Sequence, residues 1–370
     1  MTLQPPTSAQ EKADWLRLIR SENVGPATFF DLMRHFGNAG DALEELPRIA
    51  ARAGQRRPIK VATAQTVERE MERAHRLGAS FHFLGGPGYP ERLGAIHAPP
   101  PVILVRGDSA VMARAPLAIV GSRKASAAGK TLARNFAAAF VAAARTVVSG
   151  LALGIDAEAH RTALSAGTVA VVAGGVDRPT PEGHIELANE IVERGGAIVS
   201  EMPLGMVPLA RDYPRRNRLI AGLCDGVVII EAAARSGTLH TARYAFDENR
   251  DVYAVPGSPL DPRAAGSLQL LREGAAMAIE PRDVLDGVPV WEGAPEAPAG
   301  FSEETTEFHG SDDPLDTVAE ALSLTPMGVD ELVRITGMSV ASVTAAVVEL
   351  ELAGRAERDV DGAVRATVGS

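Results

Sequence analysis

Four short stretches of the chain gather the residue types that bind phosphate. The first is Gly121-Ser122-Arg123: the glycine lets a ligand approach the backbone, the serine adds a hydroxyl, and the arginine offers a planar fork of donors. The second is Ser149-Gly150, followed by Gly154, Asp156 and His160. Loops of this build, opening helices, leave backbone N–H groups that an anion can take up. In the third, Tyr213-Pro-Arg-Arg-Asn-Arg218, three arginines and an asparagine fill four positions. If a helix starts after Pro214, Arg215 and Arg218 share a face and Arg216 points elsewhere. The fourth, Ser236-Gly237-Thr238, places small hydroxyl residues at a helix start. Taken singly, Gly121-Ser122-Arg123 is equally an ordinary strand-to-helix turn with an exposed arginine, and the third stretch a solvated charged turn. Asp156 and His160, one helical turn apart, have the spacing of metal ligands or of an acid–base couple. No further ligand lies near them in sequence, and helix capping with a structural hydrogen bond is the reading adopted.

These loops need strands to present them. Short Val/Ile-rich runs occur at residues 102–105, 117–120, 146–148, 168–172, 197–199, 226–230, 251–255 and 276–279, mostly separated by helical patterns. Strands apolar on both faces and alternating with helices predict an α/β fold, an extended Rossmann-like doubly wound, mostly parallel sheet. Ligand is then expected at the carboxyl ends of the strands. Four loops at one edge, two of them bearing arginines, suit a track of phosphates better than one mononucleotide pocket. The spacing also lacks Gly-x-Gly-x-x-Gly, since the glycine after Gly121 is Gly129, and Gly129-Lys130-Thr131 has no upstream glycine of a Walker loop. No nucleophile elbow, zinc spacing or paired carboxylates emerge, so no catalytic residue, metal or cofactor is assigned. Glu201 and Glu231 end strands and suit either a base or an acceptor for loop amides.

The rest of the 370 residues frames this body. Residues 1–78 read as a helical domain of helix-hairpin-helix or sterile-alpha-motif type, with a Gly25-Pro26 turn and Gly37 as a helix stop. Residues 79–286 are the Rossmann-like domain, and 287–313 an acidic Pro/Gly-rich linker. Residues 314–370 suggest three helices and a hairpin turning at Asp361-Gly362, a winged helix. Its third helix carries Glu349 and Glu351 but no lysine or arginine, so it is expected to bind protein, or nothing, rather than a DNA groove. The chain has a net charge of −10, but twelve acids against one arginine lie between Glu280 and Glu320, and residues 1–279 carry a net +4. A polyanion therefore remains an acceptable partner of the body. Cys224 is the sole cysteine and reads as a core residue. With neither a signal pattern nor a membrane span, a cytoplasmic protein is expected.

The ordered motifs resemble one family. Tyr89-Pro-Glu-Arg-Leu93, the run from Pro99 to Gly107, Ile119-Val-Gly-Ser-Arg123, Ser149-Gly-Leu-Ala-Leu-Gly-Ile-Asp156 with His160, Ser200-Glu201, Tyr213 to Arg218, Ser236-Gly-Thr-Leu-His-Thr-Ala242 and Val255-Pro-Gly257 follow the pattern of the DNA-processing protein A (DprA/Smf) family over residues 80–280. The resemblance implies a non-enzymatic protein that binds single-stranded DNA, protects incoming strands in natural transformation and loads the RecA recombinase. It further implies a homodimer formed through the Rossmann-like domain. Carried over, the DNA pocket comprises Gly121, Ser122, Arg123, Ser149, Gly150, Gly154, Arg216, Asn217, Arg218, Ser236, Gly237 and Thr238. Where the family usually has Gly-x-Asn before the last helix, this chain has Gly266-Ser267-Leu268, so the side chain at that position is apolar. The competing class is a Rossmann-type nucleotide enzyme resembling the phosphoribohydrolases. Their Pro-Gly-Gly-x-Gly-Thr-x-x-Glu pattern is here Ala234-Arg-Ser-Gly-Thr238 followed by Leu-His-Thr, without the glutamate.

Overall fold

Runs of valine and isoleucine that bury both faces pair with one another. In the computed structural model of the chain, residues 4–53, 57–290, 313–359 and 362–367 are described. Nine strands form one sheet: β1 (Ala79–Phe83), β2 (Val102–Gly107), β3 (Leu117–Gly121), β4 (Val147–Ser149), β5 (Thr168–Val171), β6 (Ala197–Ser200), β7 (Gly226–Ile230), β8 (Asp251–Ala254) and β9 (Ala276–Met277). Their spatial order is β1-β2-β6-β5-β4-β3-β7-β8-β9. All neighbours from β6 to β9 run parallel, whereas β2 is antiparallel to both β1 and β6. Edge strand β1 was not among the expected strands, because only Ala79 and Phe83 at its ends are buried and it shows no apolar run.

The alternation of side chains divides the core into layers. Leu117 and Ile119 of β3 pack with Phe136 and Phe140 of the helix Ala127–Ala142. Ala118 and Val120 face the other way, onto Leu219 and Ile220 of the helix Asp212–Leu223. Each such buried aliphatic or aromatic side chain contributes about 1.5–3 kcal/mol of burial free energy. The order reverses between β3 and β7, so their carboxyl ends flank the crevice of the doubly wound sheet. Gly121 stands there by necessity: a Cβ would lie 1.8 Å from the Ile230 carbonyl oxygen.

By contacts the described residues form two units, those of Met1–Arg69 with Pro295–Ser370, and those of Glu70–Ala294. The first unit thus holds most of the segment read as the helical domain, 1–78, together with the segment read as the winged helix, 314–370; the second holds most of 79–286. The helix Ala64–Arg76 carries the chain into the second unit, where Arg73 pairs with Asp177 at 3.1 Å and Glu70 accepts from the Leu204 N–H at 3.3 Å. Most of the acidic linker, residues 291–312, lies outside the described residues, as does Asp361 at the expected hairpin tip.

The first unit contains the helices Ala9–Arg20, Pro26–Phe36 and Ala39–Arg52. Trp15 and Phe29 meet edge to face at 5.1 Å, and Gly37 ends the second helix at φ +79°. Its other part has the helices Pro314–Ala321, Val329–Thr336 and Val340–Leu352, then an antiparallel hairpin of β10 (Ala356–Arg358) and β11 (Val364–Ala366). Among the described residues no single helix is long and apolar enough to cross a membrane.

Candidate nucleic-acid interface

The chain leaving β3, β4, β6 and β7 at their carboxyl ends carries the four anticipated stretches, and direct bonds tie them into one surface. The Ile155 N–H donates to the Ser122 carbonyl at 3.3 Å, Thr238 Oγ1 to the Gly121 carbonyl at 3.2 Å, and Asn217 Nδ2 to the Gly237 carbonyl at 3.1 Å. Gly154, at φ +82°, permits the closest approach; a Cβ there would lie 2.3 Å from the Ser122 oxygen. Arg123 is exposed, with its guanidinium carbon 5.3 Å from the centre of the Tyr213 ring. A cation held over an aromatic face is oriented without being neutralised. Tyr213 opened the arginine motif in the sequence but was not assigned a role; an aromatic preceding a basic cluster was the available signal.

The residues expected at the pocket separate into two sets. Arg123 and Gly237 are exposed, and Ser122, Gly154, Ser236 and Thr238 are half-buried. Ser149, Gly150, Arg216, Asn217 and Arg218 are buried. Ser149 Oγ donates to the Ile119 carbonyl at 2.6 Å, fastening β4 to β3. Arg216 donates from Nη1 to the Gly150 carbonyl at 2.7 Å and to the Val171 carbonyl, and from Nε to Asn217 Oδ1 at 3.2 Å. Gly150 leaves room for that guanidinium, which a Cβ would meet at 2.8 Å. Arg218 donates to the Ala98 carbonyl at 2.6 Å and pairs with Glu201. These two arginines bind protein carbonyls and a carboxylate inside the fold. The helix starts at Asp212, before Pro214 rather than after it, with the proline tolerated in the first turn. Arg215 and Arg218, expected on one face, differ in fate: Arg215 is exposed and Arg218 is covered.

Several of the loop amides are engaged within the protein, against the expectation that these loops leave their N–H groups for an anion. Asp156 accepts from the Gly150 and Ala152 N–H groups at 3.1 and 3.2 Å. Glu231, at φ +52°, accepts from the Ser126 N–H at 2.8 Å and from its hydroxyl. Ser126 in turn caps the helix Ala127–Ala142 through the Gly129 N–H at 2.9 Å. The Thr238 N–H is taken by Ser236 Oγ at 3.2 Å. At these amides the protein's own carboxylates and hydroxyls are the acceptors. What remains outward is side-chain cation: Arg123, Arg215 and Arg235 are exposed and, among the described residues, have no acidic partner within ion-pair distance. Leu268, where an asparagine was expected, is half-buried, while the neighbouring Ser267 Oγ accepts from the Ala232 N–H at 3.3 Å.

Burial sets the charge states around β4. It pushes the Asp156 carboxyl up, opposed by the Arg216 charge and the two loop amides. It lowers Arg216 to about 10, which still leaves the guanidinium charged at neutral pH. Asp156 does not cap its helix, since the N-cap position is Gly154; its carboxylate closes the preceding loop instead. His160 is fully buried and bonds Thr168 Oγ1 through Nδ1 at 2.9 Å. Thr168 spends its own proton on the Val147 carbonyl at 2.6 Å, so its oxygen accepts and His160 carries the Nδ1 proton. Nε2 is then a bare buried acceptor without a hydrogen-bond partner. Burial, with His184, Arg216 and Arg161 nearby, holds His160 down to about 3 against an ordinary 6.5. The unfolded chain therefore binds the extra proton between those two values, and stability present above pH 6.5 is lost as pH falls toward 3. The loss reaches roughly 5 kcal/mol from this group alone. Thermal melts of His160→Leu against pH should show a flatter acid limb than the native chain; an unchanged limb would assign acid lability elsewhere. Among the described residues no group of three or more His, Cys, Asp or Glu is placed to hold a metal ion.

Fold and surface together describe a doubly wound α/β protein whose carboxyl edge carries outward arginines over loops closed by internal carboxylates. Residues 80–289 match the sequence model described as DNA recombination-mediator protein A, residues 9–73 that of the DprA-like N-terminal HHH domain, and residues 297–362 that of the DprA winged helix domain. The chain belongs to the DNA recombination-mediator protein A (DprA/Smf) family. Protein Smf of Escherichia coli (strain K12) is 36% identical over 276 residues, covering 72% of each chain. DNA processing protein DprA of Streptococcus pneumoniae is 38% identical over 199 residues, 53% of this chain and 70% of that one. The X-ray structure of DNA processing protein A from Streptococcus pneumoniae aligns with TM-score 0.61 at 30% identity, over 76% of this chain and 99% of that one. The Helicobacter pylori protein A, described for its unique single-stranded DNA binding mode, aligns with TM-score 0.51 at 25% identity, over 56% and 94%. The helical N-terminal domain is thus of the helix-hairpin-helix type, the first of the two types its sequence allowed.

Proposed function

We propose that the chain binds single-stranded DNA across the carboxyl edge of the sheet, without catalysis, and that it protects incoming strands and loads RecA recombinase in recombination and natural transformation. The observation that carries the binding step is the exposed set of Arg123, Arg215 and Arg235, without an acidic partner among the described residues, beside loops in which Asp156 and Glu231 already hold amides. Such a surface grips a backbone from outside through side-chain cations. In this reading Arg123, Ser122, Ser236, Gly237 and Thr238 face the strand. Ser149, Gly150, Gly154, Arg216, Asn217 and Arg218 shape the loops beneath it. The single-stranded DNA described for the Helicobacter pylori relative supports the ligand. RecA, and a homodimer through the Rossmann-like domain, rest on the family resemblance.

Mobility shift of a single-stranded oligonucleotide through a salt series tests the reading. Three phosphate contacts predict a log–log slope of roughly −2. Salt-independent binding, or hydrolysis of nucleoside monophosphates by the purified protein, would favour the nucleotide-enzyme class instead. Stimulation of RecA-driven strand exchange on the same DNA tests the delivery step.

A further inference from the structure

The third helix of a winged helix is the element that enters a DNA groove. Here that helix, Val340–Leu352, lies against Pro26–Phe36 and Ala39–Arg52 of the N-terminal domain, within one unit. Polar groups from both parts close over it. Thr28 Oγ1 donates to Glu351 Oε2 at 3.2 Å, and Arg358 on the hairpin pairs with that same oxygen at 3.3 Å and with Asp31 Oδ2 at 3.1 Å. Asp31 and Glu351 are 7% and 6% exposed, so this is an interior ion cluster and not a surface pair. Around it, Asn23 Nδ2 donates to the Leu352 carbonyl at 3.1 Å and Arg355 Nη1 to the Ala53 carbonyl at 3.2 Å. Ala53, wholly buried, belongs to the same apolar cluster as Leu315, Leu332, Val343 and Val347.

We infer that the winged helix is an internal clasp: its third helix is the docking surface for this chain's own helix-hairpin-helix domain, locked by Thr28, Asp31, Glu351 and Arg358, and is withheld from nucleic acid. Charge supports the choice of occupant. The helix carries only Glu349 and Glu351, which would repel phosphate, and the N-terminal domain supplies Arg52 at 3.6 Å from Glu349. The clasp joins the two ends of the chain, and residue 28 meets residue 351 only through it.

A specific protease site substituted within residues 297–305 of the full-length protein allows the linker to be cut after folding. The clasp predicts that the C-terminal fragment stays with the remainder through gel filtration at micromolar concentration. Breaking a buried ion pair from one side predicts association weaker by about 100-fold or more. Two variants apply this from opposite sides. Arg358→Ala leaves the N-terminal domain native in sequence, and Asp31→Asn leaves the winged helix native. Release of the fragment from both assigns the loss to the interface. Separation of the native cut fragments, or retention by both variants at native strength, overturns the clasp.

Discussion

Arg123→Ala is expected to weaken single-stranded DNA binding by roughly tenfold or more at low salt, and to do so for every oligonucleotide sequence alike. The log–log salt slope should shrink by about 0.7, the share of one phosphate on a single strand. Little else should change. Arg123 is exposed, and its contact is the Tyr213 ring at 5.3 Å, a cation–π interaction worth about 0.5–1 kcal/mol at such a site. Thermal stability should therefore move by no more than that. Equilibrium anisotropy on labelled oligonucleotides of several sequences, with melts alongside, separates the two effects. A sequence-selective loss would mean that Arg123 reads bases.

Arg216→Ala is expected to lower the stability of the sheet unit by about 3–5 kcal/mol, and to lose DNA binding as a consequence. The buried guanidinium bridges the Gly150 and Val171 carbonyls and offsets the buried Asp156 carboxylate. Removing it leaves two carbonyls without that donor and a carboxylate whose counter-charge is gone. Both variants would weaken a mobility shift, for different reasons, and chemical denaturation distinguishes them as the melts do. A native-like denaturation midpoint for Arg216→Ala would contradict the structural role assigned to it.

The contrast between two arginines in related motifs shows where the sequence was readable. The strands were legible because parallel strands buried on both faces read as continuous apolar runs. Gly121 was read as room for a ligand, whereas the group it makes room for is the Ile230 carbonyl. The fate of Arg216 and Arg218 was not legible. A charged cluster after a strand suggests a solvated face, but the helix Asp212–Leu223 is covered from Arg216 onward, and carbonyls of distant segments (Ala98, Gly150, Val171) receive the guanidiniums. Asp156 was read as a helix cap, and Glu231 as either a base or an acceptor for loop amides; it accepts from the Ser126 amide. Which amide each carboxylate faces was not legible, since for Glu231 that amide lies 105 residues away. The union of the chain's ends was equally hidden, since Thr28 and Glu351 are 323 residues apart. Local pattern reports periodicity and turn chemistry; it carries no information on which remote acceptor a long side chain reaches.

The central claim is that a single strand lies over the carboxyl edge of the sheet. Photocrosslinking with 5-iodouracil-substituted single-stranded DNA, mapped by mass spectrometry, tests it most directly. The account predicts adducts at Tyr213 and in the loops that follow β3, β4 and β7. Adducts confined to the unit formed by the chain's two ends, with none at the sheet's carboxyl edge, would contradict it.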